Sequence, residues 1–399
     1  MGNQQQKQEQ KQYYDNLSEF LSSSMLSHVD VHIYLGGQML VRFDWQKMNT
    51  NFDSLISALV ECKNLKSLIL NLRCTDIKEH KIQKIGQSLM NCTNLQNLEI
   101  SLDSNQNLSK NISDFAFCLE NCLSLTNLTL NLMSNCIGDQ GTQDLGSAFG
   151  KLINLRDLRV NLYENEVEEK GSAGLTVALK NCHFLSNLAI FLANNKIGAT
   201  GALLLVLPLK NCPRLSNLHL DVSNNRLGIK GISDLGLELI NCKQITTLNL
   251  SLQGNQIGPD GSQLLGSALA QCNRITKITI DLGWNQIGAQ GAVALVSNLA
   301  NNSNLQFLNL QFIWSEIDNY GVVNLGSALE SFDNLTSLYL NLNDNQILEQ
   351  GALLFGQHLT KCKNLNMLIL YIGHFENNWI HKLRTMLLRT KKLVQMAAY

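Results

Sequence analysis

The sequence predicts an α/β solenoid, with parallel strands on one face and helices on the other, and three observations carry that reading. Selected residues recur every 30 positions, each copy contains an apolar alternation of period 2, and apolar residues at helical spacing follow that alternation. Cysteines stand at 62, 92, 122, 182, 212, 242, 272 and 362. Asparagines keep the same step at 105, 135, 165, 195, 225, 255, 285 and 345, and glycines at 141, 171, 201, 231, 261, 291, 321 and 351.

One copy shows why each element forms. Leu248, Leu250 and Leu252 alternate with polar residues, the mark of a strand with one buried face. Gly258 and Gly261 suit a tight strand-to-helix turn, and Pro259 suits a first helical turn, where its missing N–H costs nothing. Leu264, Leu265, Ala268 and Leu269 then recur at helical spacing, and Cys272 closes the unit. Glycines at 86, 146, 236, 266, 326 and 356 share one helical phase; because glycine costs about 1 kcal/mol against alanine in a helix, they imply helices packed closely together. Pro208 falls inside the helix of its repeat and predicts a local kink. A single unit buries too few side chains to offset ordering its backbone, so the units must stack, strand on strand and helix on helix.

The ends depart from the repeat, as terminal units must to cover exposed core. Residues 1–14 read as a disordered polar tail, 15–50 as a degenerate N-terminal cap, 51–373 as the repeats, and 374–399 as a helical C-terminal cap sealed by Trp379, Ile380, Leu383, Met386 and Leu387. The 399 residues are 45% hydrophobic and 16% charged with a net charge of -1, an ordinary globular composition that does not make nucleic acid the default partner. The polar start lacks the apolar core of a signal peptide, and no stretch approaches a membrane span, so the expected setting is cytoplasmic, with the eleven cysteines mostly reduced. Gly2 after Met1 makes N-myristoylation a candidate, although Gln6 stands where serine or threonine is usual.

No pattern of catalytic chemistry emerges. The cysteine ladder lacks a C-x-x-C pair, and Leu152, Asn302 and Phe332 replace cysteine at the same phase, which a zinc site would not tolerate. A small apolar filler at a buried turn fits it better. The asparagine ladder fits side-chain amides satisfying backbone groups where strands turn. Stretches such as Gly138-Asp-Gln-Gly141 lack the lysine ending of a phosphate loop and recur in nearly every unit. Eight histidines share no ligand or triad phase, so no catalytic residue, metal or cofactor is assigned. The basic Lys382, Arg384, Arg389, Lys391 and Lys392 read as the solvated face of a cap helix.

The unit LxxLxLxLxxNxIGxxGxxxLxxALxxC resembles the ribonuclease-inhibitor-like class of leucine-rich repeats over about residues 60 to 373. The resemblance implies a horseshoe with the parallel sheet on its concave face and helices on its convex face. Two residues are added before the asparagine relative to the family form, as in Leu128, Leu130, Leu132 and Asn135. This extension preserves the in-out alternation, should lengthen each strand, and resembles repeats common in ciliate proteins. The implied function is a non-catalytic scaffold binding a protein partner through the concave sheet, in the setting of a ciliary or cytoskeletal assembly. Regulation of an enzyme is the alternative, because ribonuclease inhibitors and activators of a small GTPase share this repeat class. The mixed charge of the outward positions and the ending KKLVQMAAY depart from the acidic features those roles favour.

If Leu128, Leu130 and Leu132 point inward, residues one off in phase point out of the sheet. That face includes Arg73, Glu99, Asp103, Met133, Arg159, Tyr163, Phe191, His219, Asp221, Asp281, Gln311, Ile313, Tyr339 and Tyr371, with Trp284 and Trp314 at the strand ends. Interface energy concentrates in a few tryptophan, tyrosine and arginine residues. The candidate partner-binding residues are therefore Arg159, Tyr163, Phe191, Asp221, Asp281, Trp284, Trp314, Tyr339 and Tyr371. Single exposed aromatics are also ordinary on protein surfaces.

Overall fold

The computed structural model describes residues 12–14, 30–34, 45–75, 77, 79–105, 108–373, 379–388 and 393–397. Two compact units, Met1–Ile190 and Phe191–Tyr399, are built on the same strand-turn-helix plan.

In the first unit the strands Asp30–Tyr34, Ser67–Asn71, Asn97–Ser101, Asn127–Asn131 and Asp157–Asn161 pair in parallel, each with the next. The second unit runs likewise from Asn217–Asp221 through Thr247–Ser251, Lys277–Asp281, Phe307–Gln311 and Ser337–Asn341 to Met367–Tyr371. Because the period is constant, the repeat strands of each unit pair at an offset of one period: Leu248 faces Ile278, Ile278 faces Leu308, and Leu308 faces Leu338. Alternation puts Leu248, Leu250 and Leu252 in the core and leaves Asn249 and Ser251 half-buried on the other, open face.

The two added residues act at the strand's C-terminal end. Strands in the repeats are five residues long, as in Thr247–Ser251, yet Leu252 N donates to Asp281 O at 2.9 Å and Gly254 N to Gly283 O at 3.1 Å, so interstrand pairing runs on past the strand itself. The chain then turns around the asparagine. The Asn255 amide donates to Val222 O and Leu252 O at 2.9 Å each and to Gln253 O at 3.3 Å, while its oxygen accepts from Asn225 N at 2.9 Å and Leu227 N at 3.3 Å. One buried amide thereby satisfies five backbone groups of two successive repeats, a task that needs both donors and an acceptor on the same short side chain.

The helices and cysteines bear out the packing expected of them. A Cβ added to Gly266 would lie 2.9 Å from Leu295 Cα, so helix Gly258–Ala270 rests almost directly on helix Gly288–Leu299. The ladder cysteines are buried, and the thiols of Cys242 and Cys272 donate weakly to the carbonyls of Glu238 and Ala268, both at 3.6 Å. Burial pushes these thiols up to about 12 and about 11, which leaves them protonated and unreactive.

Three expectations need correction. Pro208 does not kink a continuous helix: the α-helix ends at Val206, and Leu207–Asn211 continues as a 3-10 helix with the proline in its first turn. The same substitution of one helix type for another occurs without proline after Val177, where Leu179–Asn181 is 3-10. The disordered tail expected over residues 1–14 does not hold at its end, since Gln12–Tyr14 pairs in parallel with Val31–Ile33; residues 1–11 lie outside the described residues. The C-terminal cap is more than a helix: Trp379–Leu388 buries Trp379, Leu383 and Leu387, and the strand Leu393–Ala397 then pairs with Met367–Tyr371. Gly2, Arg389, Lys391 and Lys392 lie outside the described residues. Among the described residues no helix is long and apolar enough to cross a membrane.

Candidate functional site

The outward positions of the sheet lie where the alternation places them. In the first unit Arg159 is exposed in the strand Asp157–Asn161, and Tyr163 stands half-buried just beyond that strand, its N–H held by Asn161 Oδ1 at 3.0 Å. Arg73 and Asp103 pair across adjacent repeats at 2.7 Å; burial raises the Asp103 carboxyl and the arginine opposes that rise.

The second unit gathers aromatic rings into neighbouring pairs. Phe191 meets His219 edge to face with centroids 4.8 Å apart, Trp284 stacks on Trp314 at 5.1 Å and 25° between planes, and Tyr339 lies against Tyr371 at 5.3 Å. Each pair joins residues of adjacent repeats: Trp284 and Trp314 share one phase of the repeat, whereas Tyr339 and Tyr371 are diagonal neighbours, since Tyr371 is in register with Asn341, and Phe191 and His219 are likewise offset by two residues. Around the tyrosines, Asn341 Nδ2 donates to Gln311 Oε1 at 2.9 Å and Gln311 Nε2 to Asn309 Oδ1 at 2.7 Å, a polar network spread over the open face.

Asp221 and Asp281 have a structural task as well. Each accepts the N–H two residues on, from Ser223 at 3.0 Å and from Gly283 at 2.9 Å, in the turn that an Asx side chain favours. Asp281 is half-buried, and desolvation raises its carboxyl above the usual range despite the Gly283 N–H; the neighbouring charge of Asp221 adds to the rise.

The tryptophans occupy an uncommon backbone. Trp284 has φ of 59° and Trp314 of 51°, in the left-handed region that bulky side chains rarely adopt. At the same phase stand Cys74, Ser104, Ser134, Glu164, Asn194, Asn224, Gly254 and Asp344, mostly small or short polar residues suited to that conformation. The tryptophan side chains remain 54% and 50% exposed. Together with Gln286, Glu316, Asp344, Asn345 and Gln346 they line a groove of about 580 Å³. The glutamine, glutamate and aspartate walls were not among the residues expected from the sequence. The available signal was the recurrence of two tryptophans at a turn phase otherwise held mostly by small or short polar residues.

Metal chemistry has no evident seat: among the described residues no three histidine, cysteine, aspartate or glutamate side chains converge on one point. The comparisons address the fold. A leucine-rich-repeat family model matches residues 124–146 and 275–296. No curated protein matches the sequence. A chain of the crystal structure of the Rad7 and Elc1 complex in yeast is similar in fold, at 16% identity and a TM-score of 0.50, over 90% of this chain and 80% of that one. With the family model falling on two strand-turn-helix units in phase with all the others, the chain is a leucine-rich-repeat protein.

Proposed function

We propose that the chain is a protein-protein interaction scaffold that binds its partner through the open sheet face of the second unit. The observation that carries this reading is the aromatic clustering there: three ring pairs stand at positions that the repeat leaves half-buried or exposed. Aromatic anchors ringed by polar groups are what a protein interface uses to concentrate its binding energy. Arg159 and Tyr163 are proposed as contacts of the first unit. All eleven cysteines are free thiols, which supports a reducing, cytoplasmic setting.

The test is affinity purification with quantitative mass spectrometry from native cells. It compares wild type with a Tyr339→Ala, Tyr371→Ala variant and with a Phe117→Ala control on the exposed helical side of the first unit. The expected result is a stoichiometric protein lost only with the tyrosines. Equal recovery of the same proteins by all three chains would move binding off the open face and overturn the proposal.

A further inference from the structure

We infer that the groove at Trp284 and Trp314 takes an arginine side chain from a basic segment of a partner protein. This inference deepens the scaffold reading and rests on it. The two tryptophans stack on each other, so nothing inserts between them, and what they offer is an outer ring face at the mouth of a shallow groove. A flat group laid on one face fits that geometry, whereas a spherical ammonium is better held by rings on several sides.

Charge selects among flat groups. The groove wall carries the carboxylates of Glu316 and Asp344 and the amides of Gln286, Asn345 and Gln346, and it contains no lysine, arginine or histidine. Among the described residues neither carboxylate has a cationic side chain within 4.0 Å. A guanidinium is planar, stacks on indole, and presents parallel N–H donors to a carboxylate, so it satisfies both the ring face and the wall.

The backbone supplies an independent reason to regard the pair as selected for contact. Two bulky residues occupy successive left-handed turns that glycine or asparagine would adopt with less strain, and they leave about half of each residue in water. Neither choice buries the rings in the core. Trp284 is nevertheless fixed in place, since its N–H donates to Ile313 O at 3.1 Å in the ladder between repeats, which presents the ring on a rigid support.

The experiment titrates the full chain with an uncharged-flank peptide, acetyl-Gly-Ser-Arg-Arg-Ser-Gly-amide, following tryptophan fluorescence and calorimetric heat. Peptides with lysine or with neutral citrulline in place of arginine serve as comparisons. The expected outcome is saturable binding that weakens about tenfold with citrulline and severalfold with lysine, and that falls as salt is raised. A Glu316→Gln, Asp344→Asn variant, which keeps both rings, should lose about tenfold for arginine while its unfolding midpoint stays put; Trp284→Ala, Trp314→Ala should bind no peptide. No saturable binding, or equal binding of arginine and citrulline peptides, overturns the inference. The partner recovered through Tyr339 and Tyr371 separates the two failures. If it is retained by the Trp284→Ala, Trp314→Ala chain, only the groove assignment fails; if no partner is recovered by any chain, the scaffold reading fails with it.

Discussion

The turn that follows each strand has the same backbone in both units and different side chains. In the first unit it presents Ser104, Ser134 and Glu164 at φ of 57°, 56° and 54°; in the second, Trp284 and Trp314 hold that conformation at 59° and 51°. Both turns close around a buried asparagine and donate backbone N–H groups to the next repeat. The comparison teaches that the backbone of this turn is set by the ladder beneath it, so the side chain at its tip is free to serve recognition, even at some local cost.

The largest expected effect tests the shared half of that comparison. Asn255→Ala in the second unit removes an amide that meets five backbone groups, and at about 1–3 kcal/mol for each buried group left without a partner the loss should reach at least about 3 kcal/mol by urea unfolding. Asn135→Ala in the first unit, which strips the donors to Leu102 O and Leu132 O, should cost a similar amount. Unequal losses would show that the turns are not built alike.

A smaller effect is expected at the tips. Trp284→Asn gives up a ring stack worth about 0.5–1.5 kcal/mol and relieves a bulky left-handed residue of about 1–2 kcal/mol, so stability should change by less than about 1 kcal/mol. The reverse exchange, Ser134→Trp, gains no ring partner and should destabilise by about 1 kcal/mol. A large loss from Trp284→Asn in the same unfolding assay would make that tryptophan part of the packing and undo the separation of frame from tip.

The smallest effect concerns the open face. Asp281 has a raised folded pKa, so between the ordinary carboxylate value of about 3.9 and that raised value the folded chain holds more protons than the unfolded one. Stability therefore falls as pH rises through this window. Asp281→Asn, whose side-chain oxygen still accepts the Gly283 N–H, should raise the unfolding midpoint at neutral pH and bring no gain below the ordinary carboxylate range. An unchanged midpoint at neutral pH would show that the carboxylate is fully solvated.

Much of this architecture was legible in the sequence because its causes are local or periodic. Cys242 and Cys272, Asn225 and Asn255, and Leu248 beside Leu250 fix the step, the turn and the buried face through spacing alone, and the same alternation located Tyr339 and Tyr371 on the open face. What was not legible depends on contacts that spacing does not encode. Glu316 and Asp344 join the tryptophan groove because a left-handed turn aims four neighbouring tips together, and no periodicity announces that angle. The dual role of Asp221 and Asp281 needs the turn geometry that places their oxygens beside an N–H. The strand Leu393–Ala397 lacks the leucine alternation of the repeats, and its pairing with Met367–Tyr371 supplies the order that its own pattern does not. At Pro208 the sequence marked a disturbance correctly, and its form, the 3-10 segment Leu207–Asn211 lying against the adjacent helix Gly228–Asn241, was not legible from the proline alone.

The asparagine bridge also governs how the chain can change length. Asn255 binds groups of its own repeat and of the one before it, and Asn285 takes the same grip on Asn255 and Leu252. A segment of one full period, cut out or duplicated from any starting phase, hands each bridge to an equivalent neighbour. A segment one residue shorter or longer turns the core leucines onto the outward face and shifts each bridge asparagine off its partners. Growth and loss in such a molecule are therefore quantised, and new tips can be acquired by copying a repeat whole while the frame that presents them stays unaltered.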